Sequence, residues 1–310
     1  MNVVTRWCFA FGVGLLWGRA ARADVVLVME DPINFAGRMT SAGHSAIWLD
    51  RLCSDDHIKM RSCGAGEPGA VLSRYQGVKG RFDWLAMPPD AYFFAVDRES
   101  AIPANVTAEN AERLRREYRV AHGGSFAVDP GDGTWTSLLG ESYRRRIVLV
   151  RVRTTGAQEQ RMMRWLNDGR NVSHFNMFYS NCGDFASKLL NVAFPGAVHR
   201  NYLLDAGMTT PKQLEARLHG YAKRHPELGW EATLLPQVAG SIPRSRHLHG
   251  VTESYLKTYP YLLPLDYLLP IELGLVTGLG LCDHRYVAKP NVRVDDGIFF
   301  PTAEVAGSGL

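Results

Sequence analysis

Apolar residues follow two rhythms along the chain, and each predicts a different kind of element. Val25-Val26-Leu27-Val28-Met29 is an unbroken apolar run with β-branched residues, the pattern of a strand buried on both faces, and Gly43–Leu49 is a second. Ala70–Tyr75, Phe82–Met87, Tyr92–Val96 and Ile147–Val152 are further strand candidates. Elsewhere apolar residues recur three and four apart, which predicts helices over Ala108–His122, Ala157–Leu166 and Cys182–Val192. Thr210-Pro211 opens one more, with Thr as the cap and Pro at the first helical position, running to about Arg224. Strands dominate the first half and helices the second, so the expected class is α+β, with an antiparallel or mixed sheet rather than a regular parallel alternation.

The first 23 residues have another character. A short start carrying Arg6 precedes the apolar stretch Trp7–Trp17, and Ala21-Arg22-Ala23 follows, the three-part pattern of a secretory signal cleaved before Asp24. The apolar stretch is too short to cross about 30 Å of hydrocarbon. The expected location is therefore exported, in the periplasm or associated with the cell envelope. The expected divisions are residues 1–23 as signal, 24–200 as a catalytic domain, and 201–310 as a helical and Pro/Gly-rich appendage. Within the appendage Tyr261–Leu281 is strongly apolar, yet Pro264, Asp266, Pro270 and Glu272 interrupt it, so it is read as a buried segment or a membrane contact.

Charge and cysteine content narrow the function classes. Without Arg6, Arg19 and Arg22 the 35 Lys and Arg become 32, against 31 Asp and Glu. A chain so close to neutral has no general field to hold a phosphate backbone, and no nucleic-acid partner is expected. Export leaves Cys53, Cys63, Cys182 and Cys282 in an oxidising compartment. Cys53 and Cys63 bracket a short polar stretch, and a bridge there would remove about 2–3 kcal/mol of unfolded-chain entropy. Cys182 is then expected to be free.

Tyr179-Ser180-Asn181-Cys182-Gly183-Asp184-Phe185 carries the most chemistry. Asn181 is a strong capping residue and Asp184, three positions on, reaches back toward the cap, so Cys182 becomes the first residue of an amphipathic helix. A thiol there feels the positive end of the helix dipole, which favours the nucleophilic thiolate. Its partner must be an imidazole that takes and returns a proton. Of ten histidines, His44 opens an apolar strand after Ser41-Ala42-Gly43 and is the expected base, with His174 as second choice. His57, His122, His199, His219, His225, His247, His249 and His284 lie in polar or Arg-rich surroundings and read as surface or local structural groups. His247 and His249 also form a His-x-His pair, the seed of a metal-dependent alternative that lacks a third ligand.

A Gly43-His44-Ser45-Ala46 strand followed much later by Asn181-Cys182-x-Asp184-Phe185 at a helix start resembles the circularly permuted papain-like thiol hydrolases, which include lecithin-retinol acyltransferase-like enzymes and permuted cell-wall endopeptidases. Phe194–Asn201 and Thr209–Lys212 are similar to an uncharacterised bacterial exported family within that group. The resemblance spans roughly residues 24–195. It implies Cys182 as nucleophile, His44 as base, no cofactor, and an amide or ester substrate: a cell-wall peptide or a lipid acyl group. It also implies a third polar residue that orients the imidazole, for which His57, Ser73 and Asp83 stand as alternatives. A catalytically silent scaffold binding an envelope partner is the alternative from another class.

Overall fold

A computed structural model describes residues 23–35, 38–39, 43–74, 82–123, 138–176, 178–248, 250–251, 274–275, 278–279, 283–287 and 292–293. Seven strands form one sheet: β1 (Ala23–Glu30), β2 (His44–Leu49), β3 (Ala70–Ser73), β4 (Leu85–Met87), β5 (Ile147–Thr154), β6 (Glu231–Leu235) and β7 (Val292–Arg293). Their spatial order is β7-β6-β5-β1-β2-β3-β4. All neighbours are antiparallel except β6 and β7. Two short ribbons, Asn34–Phe35 with Arg38–Met39 and Leu52–Cys53 with Arg61–Ser62, stand apart from it. With five helices, α1 (Pro89–Phe94), α2 (Ala108–His122), α3 (Gly156–Asp168), α4 (Cys182–Ala193) and α5 (Pro211–Arg224), the described chain is mixed α+β with a mainly antiparallel sheet.

The sheet is buried on both faces because the middles of its central strands are apolar at successive positions, which point to opposite faces. Val25, Leu27 and Met29 of β1 join Ile47, Leu49 and Leu72 in one core, under Phe185, Leu189 and Leu190 of α4 and Leu214 and Leu218 of α5. Val26 and Val28 face the other way, into a core with Ala46, Trp48, Phe93, Leu139 and Tyr143. Each fully buried Leu or Phe in these cores contributes about 1.5–3 kcal/mol. The α5 helix packs on the first core and β6 pairs with β5, so residues 211–235 belong to the same packed body as the strands before them. After β6 the chain returns over the end of the sheet that carries His44. Arg246 there donates its amide to the Pro32 carbonyl, and Leu248 joins the first core.

Two sequence expectations are corrected. Tyr92–Val96 is not a strand: Pro89 sits at the first position of α1, which presets its φ, and five of its six residues are buried, so a helix covered all round shows no readable period. Phe82–Met87 shrinks to Leu85–Met87. The Ala70–Tyr75 candidate ends at Ser73 as far as the described residues go. The strand at Glu231–Leu235 lies in a Pro- and Gly-rich stretch where none was expected. The signal segment 1–22, Cys282, and all of Tyr261–Leu281 except residues 274–275 and 278–279 lie outside the described residues. No helix among the described residues is long and apolar enough to cross a membrane.

Candidate active site

The cysteine side is built locally. Asn181 is in extended conformation before α4; its side chain accepts from the Asp184 amide at 2.9 Å, and Asp184 accepts from the Asn181 amide at 3.1 Å, a complete capping box. Cys182 is therefore the first helical residue, half-buried, with no disulfide. Asp184 is buried and also accepts from Arg200 at 2.8 Å and from the Thr209 hydroxyl. Arg200 in turn donates to the Tyr179 carbonyl at 2.9 Å and the Gly207 carbonyl at 3.2 Å, tying the loop before the cysteine to the loop after α4. Gly183 lets this second loop come close, since a Cβ there would lie 2.5 Å from the Thr209 carbonyl oxygen.

The histidine side is built from distant strands. His44 is the first residue of β2, paired across the sheet with Glu30 at the end of β1. Gly43 before it has φ +87°, and a Cβ there would lie 2.3 Å from the Glu30 carbonyl oxygen, so only glycine lets the chain enter β2 at this angle. The ring is buried, and its Nε2 lies 2.7 Å from Ser73 Oγ. Ser73 of β3 pairs with Ala46 of β2, which makes it the diagonal neighbour of His44 on the same face.

These two sides meet. A His44 hydrogen bond reaches the Cys182 thiol, and the Ser45 backbone contributes another. With Nε2 occupied by Ser73, the nitrogen left for sulfur is Nδ1. Burial raises the Cys182 pKa, but the His44 charge and these hydrogen bonds outweigh it and lower the value to about 7. The thiol thus carries substantial thiolate at neutral pH, which an ordinary thiol near 8.5 does not.

No family model, curated protein or solved structure matches this chain. Among the three alternatives for the orienting residue, Ser73 contacts the His44 ring. His57 has φ +64° and pairs with β4 instead, its Nδ1 2.8 Å from the Ala86 carbonyl, inside the loop closed by the Cys53–Cys63 disulfide (S–S 2.01 Å). Burial lowers the His57 pKa. Asp83 is paired with Arg74, whose other nitrogen donates to Ser180 Oγ at 2.9 Å, so this buried pair braces the cap of α4. His174 is exposed and sits 3.5 Å from Asp83. Of the His247 and His249 pair, His249 lies outside the described residues.

Behind His44 the second core holds a charge network that the sequence analysis did not single out. Tyr92 donates to Glu30 Oε1 at 2.6 Å and is hydrogen-bonded to Ser73. Glu30 Oε2 lies 3.2 Å from Arg145, which also lies 2.9 Å from Glu141. Burial raises the Glu30 pKa to about 8, with the Glu141 charge adding to it against Arg145 and Tyr92. Glu141 is also pushed up by burial, but Arg144, Arg145 and Arg115 overcome this and bring it to about 2. The signal for this network was Glu30-Asp31 at the end of one apolar strand and Arg144-Arg145-Arg146 at the start of another. Charges that close to a doubly buried strand need partners inside.

Proposed function

We propose that this chain is an exported cysteine hydrolase or acyl transferase of permuted papain-like design. The observation that supports it best is the hydrogen-bonded contact between the His44 ring and a Cys182 thiol at a helix start, lowered to about 7. In the proposed reaction the Cys182 thiolate attacks an amide or ester carbonyl carbon, forming a C–S bond. The first amides of α4 point toward the oxygen that becomes negative. The His44 imidazolium gives its proton to the leaving amine or alcohol as the C–N or C–O bond breaks. Water or a second nucleophile, deprotonated by His44, then attacks the thioester, and C–S cleavage returns the thiol.

The rim of the site favours an acyl donor with an apolar part over a polar cell-wall peptide. Phe178 and Tyr179 directly precede the Ser180-Asn181-Cys182 turn, Tyr202 packs against Gly207, and all three rings and Leu203 are largely exposed. Arg200 joins the two loops that carry them. The Cys53–Cys63 disulfide fits an oxidising compartment. Incubation with a short-chain lipid ester and, separately, with a peptide amide, followed by intact-mass measurement, tests the reading. The expected result is an acyl mass on Cys182 with the ester, absent in Cys182→Ala. No adduct and no turnover with either substrate, from folded protein, would overturn it.

A further inference from the structure

We propose that Tyr92 and Glu30 are positioning residues that set the tautomer of His44 through Ser73. This rests on the reading of Cys182 and His44 as nucleophile and base, and it adds residues that touch neither the sulfur nor a substrate. The contacts form one line: His44 Nε2 to Ser73 Oγ at 2.7 Å, Ser73 to the Tyr92 hydroxyl, and Tyr92 to Glu30 Oε1 at 2.6 Å. Every member is buried. A hydroxyl has one proton to give, so the direction of one bond fixes the next. Glu30 Oε1 accepts from Tyr92 when the carboxyl is ionised, as it is at pH 8.5, above its value of about 8. Tyr92 must then accept from Ser73, and Ser73 must accept from His44. Nε2 is therefore the nitrogen that carries hydrogen in the neutral ring, and Nδ1 presents its lone pair to the thiol, as a base must.

Glu30 is held for this task from behind. Arg145 lies 3.2 Å from its second oxygen and 2.9 Å from Glu141. Pairing with His44 across β1 and β2 fixes the backbone distance between the two ends of the line. Three hydroxyl or carboxyl groups on β1, β3 and α1 thus replace a single carboxylate on the ring.

The test has two readouts on the full chain. In Cys182→Ser protein at pH 8.5, nitrogen-15 shifts of the His44 ring are expected to show the Nε2–H tautomer. In protein with Cys182 intact, Ser73→Ala is expected to raise the apparent thiol pKa by about one unit, which cuts alkylation at pH 6 about tenfold. Tyr92→Phe should give a smaller loss, about threefold, and shift the ring toward a tautomer mixture. Glu30→Gln keeps an acceptor oxygen for Tyr92 and should preserve the tautomer. An Nδ1–H ring in the parent, or alkylation profiles in Ser73→Ala and Tyr92→Phe that match the parent, would overturn the proposal. The ring shifts need no turnover, so a protein with the Nε2–H tautomer but no acyl adduct would remove the proposed function and leave this inference standing.

Discussion

Cys182 is fixed by groups one and two residues away at its own helix start, with Arg200 and Thr209 closing over them, whereas His44 is held by Ser73, Tyr92 and Glu30 from three separate elements. Local capping gives the cysteine its position and its helix dipole, and Arg74, just after β3, braces the cap from the sheet. Assembly of distant strands gives the histidine its orientation, so the imidazole is correct only when the whole sheet is. The difference separates stability from reactivity: damage on the cysteine side should be read in unfolding, and damage on the histidine side in thiol chemistry.

The largest expected break comes from Arg74, which links the two sides. Arg74→Ala leaves Asp83 buried without its partner and removes a donor from Ser180, and should cost about 3–5 kcal/mol in urea unfolding. A smaller loss, about 2–3 kcal/mol, is expected when Cys53→Ser and Cys63→Ser remove the disulfide, with the Cys182 alkylation profile unchanged because the closed loop lies on the β4 side. Asn181→Ala should cost about 1 kcal/mol through the lost cap, measured by thermal melting.

A fourth experiment sharpens the contrast through pH. The Cys182 thiolate should be present above an inflection at about 7 and lost as pH falls through it, read as the rate of iodoacetamide alkylation. His44→Ala should move that inflection upward toward the ordinary thiol range while leaving the capping box and most of the stability in place. An inflection unchanged by His44→Ala would mean that the two sides do not communicate.

The cysteine side was legible in the sequence because its determinants are three residues apart: Asn181 and Asp184 predict the cap, and Thr210-Pro211 predicts α5, both as observed. His44 was legible as the start of an apolar strand after Gly43. Which of His57, Ser73 and Asp83 meets its ring stayed open because the choice depends on strand register and on whether the disulfide loop pairs with β2 or β4, which no local pattern encodes. Tyr92 was hidden further by lying in a short helix that reads as a strand. Arg145 and Glu141 are long-range partners of Glu30, and their burial follows from tertiary packing alone.

The place of β1 between β2 and β5 has a kinetic side. Asp24 on β1 pairs with Arg151 on β5 across 127 positions of chain, while the other neighbour of β1, β2, begins only 14 positions after β1 ends. Until β5 arrives, one edge of the most apolar strand is an open template for any other extended chain. Closing so long a loop is slow compared with hairpin formation. His44, at the far end of that same strand pair, therefore becomes oriented late in folding, and half-made chains should carry a thiol with the reactivity of an ordinary one.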